Sequence, residues 1–309
     1  MNNKLIVSTS PHIYTRESSA KIMWMVTLSL VPAGIAGVYI FGLSSLWVIL
    51  TGIISAVLTE AAIQKLRGAA VTLYDGSALL TGLLLAYCLP PAVPLWVVAC
   101  GSVFAIAIGK QAFGGLGQNI FNPALAGRAF LLAAWPTYMT TWTNPRGALD
   151  AITSATPLDN AFVGVTYWDL FIGRRSGCIG EVCIIALLAG ALFLLMSGYI
   201  SWHIPFSFIA TAGIFTWAFG ADTLFSGQWL FHILSGGLIL GAFFMATDYV
   251  TSPLTNKGKL IFGFGCGLFT GIIRLWGGYP EGVCYAILLM NAACPLIDRY
   301  TRPRRFGTK

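Results

Sequence analysis

The chain has few charged side chains: only 9% of its 309 residues are Asp, Glu, Lys or Arg, whereas 57% are hydrophobic. Soluble domains carry about 25% charged residues, so this shortage excludes an ordinary soluble enzyme. The seven cysteines contain no Cys-x-x-Cys pair, which argues against an iron–sulfur or zinc site built by this chain alone. The composition therefore indicates an integral membrane protein.

Long apolar runs predict an all-α, polytopic membrane protein with about ten transmembrane helices. A full crossing needs about 20 apolar residues, and the runs lie at 22–41, 44–64, 76–89, 92–109, 120–135, 181–198, 203–221, 229–246, 258–276 and 281–297. The runs at 76–89, 120–135 and 229–246 are interrupted by Gly, Pro or polar residues. Such interruptions are typical of broken or half-length helices. Residues 1–20 are polar and the first run is long enough to span, so no cleaved signal peptide is expected.

The net charge of +7 could indicate nucleic-acid binding, but membrane topology explains it. With ten spans both termini lie on one side, and that side would hold thirteen of the Lys and Arg residues against three on the other. Cytoplasmic loops carry the excess of positive charge. We therefore expect a multi-pass protein of the inner (cytoplasmic) membrane with both termini cytoplasmic and the 136–180 loop outside.

The two halves of the chain look related. Residues 82–91 align loosely with residues 241–253, and each stretch follows a Gly-rich apolar segment and ends at proline. Five spans per half reverse the direction of insertion, so the repeat would be inverted, as in many transporter-like folds. The predicted divisions are an N-terminal repeat (1–135), an extracytoplasmic loop (136–180), a C-terminal repeat (181–298) and a cytoplasmic basic tail (299–309).

The outer loop contains a candidate flavin acceptor. It reads Asp150-Ala-Ile-Thr153-Ser154-Ala155-Thr156-Pro157. This stretch resembles the sequence read by flavin transferases, which join FMN through its phosphate to the hydroxyl of the final threonine. Pro157 biases Thr156 toward extended backbone, so the hydroxyl can project, and Arg146, Arg174 and Arg175 could pair with the phosphate. The alternative is an ordinary Ser/Thr-rich turn.

A second stretch, residues 110–128, combines glycines with two asparagines. Glycines let backbone approach a flat ligand closely. Asn119 and Asn122 are three residues apart, so both amides would face one side of a helix, and Pro123 suits a helix's first turn. Amides donate and accept, which matches the edge of an isoalloxazine ring. The alternative is a re-entrant turn whose asparagines satisfy freed backbone groups.

Three further positions have ionisable groups in or beside apolar segments. Asp248 ends a span, where an acid is functional by default, although it could instead cap a helix or pair with Lys257. We expect Arg274 and Glu281 to form an ion pair at an outer turn. For Glu60 we expect a salt bridge toward the cytoplasmic end, with the basic residues Lys65 and Arg67 one to two turns further along the chain.

Taken in order, these segments resemble the RnfD subunit of the Rnf electron-transport complex over nearly the whole chain. The matching segments are Ser10-Pro11-His12, 75–82, 114–128, 150–158, 244–251 and 277–289. The NqrB subunit of the sodium-pumping NADH:quinone reductase belongs to a similar family. It has a longer N-terminal extension and a different residue after the acceptor threonine, so Pro157 and the short N-terminal segment favour the Rnf family.

The resemblance implies two flavins: FMN bound covalently at Thr156, and noncovalent riboflavin at Asn119 and Asn122. The transferase's recognition residues would be Asp150, Thr153, Ser154 and Ala155. It also implies a translocase component that is not catalytic alone, with a flavin transferase, lipid and the other Rnf subunits as partners and with ferredoxin and NAD chemistry held elsewhere. The alternative from another class is a small-solute channel or transporter, with the Asn and Gly segments as its filter.

Overall fold

The computed structural model describes residues 17–143, 145, 158, 166–221, 223–278, 282–303 and 307. Over these residues the fold is all-α and contains no strand, which confirms the predicted class. Each predicted span contains helix. The helices are α1 (Ser19–Phe41), α2 (Leu43–Leu66), α3 (Ser77–Tyr87), α4 (Leu95–Ala107), α5 (Pro123–Ala134), α6 (Pro136–Thr140), α7 (Tyr167–Ile172), α8 (Ile184–Met196), α9 (His203–Phe219), α10 (Trp229–Leu234), α11 (Leu238–Leu240), α12 (Asn256–Trp276) and α13 (Val283–Thr301).

Four helical stretches are long and apolar enough to cross a membrane: α1, α2, Leu95–Phe113 and α12. The first two are joined by a single residue, Gly42, whose φ of +95° is open to glycine and strained for other residues. The number of crossings, the inverted repeat and the division into domains stay predictions.

The three segments with interruptions are short or broken, as predicted. The 11 residues of α3 rise about 16 Å, roughly half of a 30 Å hydrocarbon core, and α5 has only 12 residues. After α10 the chain breaks at Ser235, then continues through α11 into a π-helix, Gly241–Met245. A half-length helix ends inside the bundle, where its free backbone groups need partners from the protein.

Tyr87, the last residue of α3, lies at the centre of the bundle. Its hydroxyl donates to the Leu30 carbonyl of α1 at 2.9 Å, and its carbonyl accepts from the Gly180 N–H at 2.9 Å. A Cβ on Gly180 would come within 2.3 Å of the Tyr87 side chain, and one on Gly34 within 2.2 Å. The close approach therefore requires glycine at both positions. The Gly180 N–H, in the segment before α8, thereby binds a carbonyl group that would otherwise be free at the C-terminal end of α3.

A buried ion pair joins α2 to the end of α4. The Lys110 ammonium lies 2.7 and 2.9 Å from the two oxygens of Glu60, and both side chains are only 2% exposed. Lys110 also donates to the Ser77 hydroxyl at 2.6 Å, so it links α2, α3 and α4. Glu60 additionally accepts from the Gln111 amide at 2.8 Å.

The expected partners of Glu60 were wrong. Lys65 and Arg67 are exposed at the end of α2, where water solvates their charges. Glu60 points instead into the bundle, toward Lys110 on a neighbouring element. A buried carboxylate needs a buried counter-charge, and the exposed cations do not supply one.

Replacing Glu60 tests how strongly this pair holds the fold. Glu60→Gln should leave the Lys110 charge buried and uncompensated, which costs about 3–5 kcal/mol. The double variant Glu60→Gln/Lys110→Met should recover part of that loss because it removes the orphaned charge. Thermal unfolding of the purified protein in detergent measures both effects.

The matched control is Glu17→Gln, which breaks the pair of Glu17 with Lys21, whose side chains are 44% and 43% exposed. An exposed pair contributes about 0–1 kcal/mol, so this variant should unfold close to the wild type. Equal losses from the two glutamate variants would mean that the Glu60–Lys110 pair does not hold the helices together.

Candidate functional site

Asn122 is the N-cap of α5. Its Oδ1 accepts from the backbone N–H groups of Ala124 and Leu125 at 3.1 and 3.3 Å, and Pro123 occupies the first helical position, as expected. Because α5 begins at Pro123, Asn119 and Asn122 do not share a helix. The predicted helical spacing of the two amides is therefore wrong.

Asn122 also connects two further elements. Its amide nitrogen donates to the Met245 carbonyl at the end of the π-helix, at 3.2 Å. Its backbone N–H donates to the amide oxygen of Asn291 in α13 at 3.0 Å, with that amide oriented so that its nitrogen donates to the carbonyls of Thr251 and Ile287. The 3% exposed Asn122 thus satisfies backbone groups, as the re-entrant-turn alternative predicts, and keeps one amide hydrogen for a ligand.

Asn119 has a different environment. Its amide nitrogen donates to the Phe121 carbonyl at 3.1 Å, and its side chain lies beside Asp248 in the lining of the same cavity. An ionised carboxylate only accepts hydrogen bonds, so the amide hydrogens of Asn119 are the groups suited to face it. Its Oδ1 is left as an acceptor.

Asp248 neither caps a helix nor pairs with Lys257. Its carboxylate accepts from the Val250 N–H at 3.5 Å and from the Thr251 hydroxyl at 3.1 Å. The loop after the π-helix folds back on itself, and this places the carboxylate beside Asn119. The acid and the Asn119 amide both line the cavity described next.

A cleft at this end of the bundle brings the candidate residues together. Its polar lining consists of Ser77, Lys110, Asn119, Asn122 and Asp248, among other groups, and its apolar walls include Met23, Phe243 and Phe244. The cavity volume is only about 80 Å³. Sequence reasoning placed Lys110 in a connecting loop and gave it no role; its isolation just after an apolar run was the available signal.

The opposite end of the bundle carries a group of arginines. Arg274 in the last turn of α12 donates to the carbonyl of His232, and to that of Ser235 at 3.0 Å, so it caps the C-terminal end of α10. Arg175 donates to the Glu181 carbonyl at 3.1 Å. The expected partner of Arg274, Glu281, lies outside the described residues.

The acceptor sequence also lies outside the described residues: Asp150, Thr153, Ser154, Ala155 and Thr156. The structure does describe Leu158, two positions beyond Thr156. A Cβ built on Gly236 would lie 3.0 Å both from Leu158 Cδ1 and from Arg274 Nη2. Leu158 and the Arg274 guanidinium therefore meet at the same backbone position, between α10 and α11.

Comparison with known proteins gives full-length matches. Residues 6–307 match the NQR2, RnfD, RnfE family. The D-type subunit of the proton-translocating ferredoxin:NAD(+) oxidoreductase complex of Clostridium ljungdahlii is 52% identical over 99% of this chain and 97% of its own. The Na(+)-translocating counterpart of Acetobacterium woodii is 51% identical over 98% and 95%. The corresponding component of the ion-translocating oxidoreductase complex of Escherichia coli O127:H6 is 40% identical over 97% and 98%.

Two substitutions at Asn122 separate its cap from its other bonds. Asn122→Ser keeps a capping oxygen for α5 but loses the donor to Met245, whereas Asn122→Ala loses both. The cap contributes about 0.5–2 kcal/mol, so the alanine variant should be less stable than the serine variant by that amount. Thermal unfolding in detergent measures the difference, with Asn119→Ala as a control that caps no helix. Equal stabilities of the serine and alanine variants would contradict the capping role.

Proposed function

The chain belongs to the NQR2, RnfD, RnfE family, and from that premise we propose that it is the RnfD component of an ion-translocating ferredoxin:NAD(+) oxidoreductase complex. The observation that carries the proposal is the identity of 52% and 51% with two relatives named as such components, over nearly the full length of both partners. The NqrB component of a quinone reductase and a solute channel are the alternatives. The channel would carry no flavin, so ultraviolet fluorescence of the denatured band distinguishes it.

The orientation follows from charge. Lys65, Arg67, Lys110, Lys257 and Lys259 lie at the end of the bundle that holds the cleft, because α2 and α4 end there and α12 begins there. Cytoplasmic ends carry the excess of Lys and Arg. On this basis the cleft faces the cytoplasm, and the connection between α6 and α7, which holds Thr156, faces outward.

Thr156 is the proposed attachment site of FMN, on the resemblance of its flanking residues to a transferase acceptor. The described residues fit a phosphoester there. The side chain of Leu158 lies beside that of Arg274 at Gly236, and Thr156 precedes Leu158 by two residues, which bridge at most about 7 Å. A guanidinium forms strong, charge-assisted hydrogen bonds with phosphate oxygens. Arg274 is the described residue that would hold the phosphate.

Noncovalent riboflavin is the proposed ligand of the cleft. Riboflavin has no phosphate, so its entry among helices avoids desolvating a charge. The Asn119 Oδ1 would accept from the ring's imide N–H, because the amide nitrogen is turned toward the Phe121 carbonyl. Lys110 is neutralised by Glu60 and so adds no net charge to the cleft. A bound flavin supplies the electron transfer; the chain binds it, orients it and limits its contact with water.

Thr156→Ala should abolish covalent flavin, because it removes the hydroxyl that takes the phosphate. Intact-mass analysis after coexpression with a flavin transferase measures the attachment. Thr141→Ala, in the same connection, is the matched control and should be fully modified. A transferase exported from the cytoplasm should be required. Modification by a transferase confined to the cytoplasm would reverse the orientation, and modification of Thr156→Ala would move the site to Thr153 or Ser154.

Asn119→Leu should weaken riboflavin binding by up to about tenfold, because one hydrogen bond contributes about 0.5–1.5 kcal/mol and 1.4 kcal/mol is a factor of ten. Acid extraction of the purified complex counts riboflavin released against FMN retained on the chain. Gln118→Leu, at an exposed neighbouring position, is the control and should keep riboflavin. Full occupancy in Asn119→Leu would place riboflavin elsewhere while leaving the FMN proposal intact.

A further inference from the structure

A second and larger cavity lies on the outer surface of the helices, separate from the cleft. It is a groove between α9 and the broken segment that follows it, with a volume of about 610 Å³. Its lining is formed by Leu195, Trp202, Pro205, Phe206, Ile209, Ala210, Gly213, Ile214, Trp217, Trp229, Ile233 and Phe243. Every lining residue is apolar or aromatic. The groove exists because α10 stops after six residues and leaves one side of α9 uncovered.

The groove is open to the surroundings of the bundle. Trp202, Phe206 and Ile214 are 56%, 62% and 63% exposed, and Ala210 and Gly213 form a floor of small residues between them. From Trp202 to Trp217 the helix rises about 22 Å, longer than the roughly 15 Å of one hydrocarbon leaflet. Tryptophan is enriched at membrane interfaces, and Trp202 and Trp217 lie at the two ends of this stretch of the groove. The groove therefore has the length and polarity of a site for an extended hydrocarbon chain.

A small polar pocket lies next to the Trp202 end of the groove and shares Ile200, Thr247 and Tyr249 with the wall of the cleft. Ser201 and Lys259 line it, together with Ser252 and Thr247, and Ser201 precedes the groove residue Trp202 in the chain. Lys259, in the first turn of α12, has no ion-pair partner among the described residues. Basic pockets on the cytoplasmic side of membrane helices bind anionic lipid headgroups. The pocket thus supplies a cation where a lipid phosphate would lie if its acyl chain occupied the groove.

We propose that the groove holds one acyl chain of an anionic phospholipid, whose phosphate is bound by Lys259 and Ser201. The complementary charge at one end of the groove favours this occupant over a transmembrane helix of a partner protein. A transmembrane helix, which is about 10–12 Å across with its side chains, has no phosphate to pair with Lys259. The proposal rests on the cytoplasmic orientation of this end of the bundle, as proposed above.

Native mass spectrometry of the purified complex tests the proposal, using phosphatidylglycerol and phosphatidylcholine with identical acyl chains as probes. Wild-type complex should retain phosphatidylglycerol at least about fivefold more tightly at one site, since ion pairing adds to the shared apolar contact. Lys259→Gln should reduce this preference below about twofold. Lys257→Gln, an exposed lysine in the same turn that does not line the pocket, should keep it.

A second variant tests the groove itself. Ala210→Phe fills the floor and should weaken both lipids about equally, because it removes space for the acyl chain and leaves Lys259 in place. Three outcomes would overturn the proposal: no headgroup preference in the wild type, equal losses from Lys257→Gln and Lys259→Gln, or unchanged binding in folded Ala210→Phe. Failure of Ala210→Phe to assemble, with no lipid retained by the wild type, would assign the groove to a partner helix.

Discussion

The contact between Glu60 and Lys110 sets the geometry on which the cleft depends. Two charged side chains that are each only 2% exposed lose much of their hydration, and they remain stable only when their separation and hydrogen bonds are close to ideal. This requirement fixes the end of α4 against α2 and the start of α3 through Ser77. The loop that begins at Lys110 therefore leaves from a defined position, and Asn119 and Asn122 reach the cleft from it.

The same physical demand recurs where helices end inside the bundle. Backbone groups there have no water to bind, and each end is satisfied by a residue from a distant part of the chain. Gly180 caps α3, Asn122 caps α5 and binds the end of the π-helix, and Arg274 caps α10. Broken helices are thus stable because distant segments of the chain complete them.

Sequence reasoning located the helices well, because apolar runs and their interruptions are local signals. It predicted that 76–89, 120–135 and 229–246 would be short or broken, and α3, α5 and α10 are. It failed for Glu60, whose partner Lys110 lies 50 residues away. The two structural alternatives for Asp248, a helix cap and a pair with Lys257, were also wrong, because its carboxylate accepts from Val250 and Thr251. Pairing across the fold is set by tertiary packing that no local pattern encodes. The re-entrant-turn alternative did anticipate that Asn122 satisfies backbone groups, and Pro123 did signal the start of α5, but the partners of Asn122 in the π-helix and α13 could not be predicted for the same reason.

A broken span leaves space on two sides, and Phe243 separates the two spaces in this fold. It lines the polar cleft on one side and the apolar groove on the other. Phe243 lies in the π-helix Gly241–Met245, at the break in this span. The polar lining of the cleft comes from the end of α4, the start of α5 and the loop after the π-helix. The groove forms because α10 has only six residues and does not cover α9. One interruption of a single helix therefore creates both a polar site inside the bundle and an apolar site that faces the bilayer.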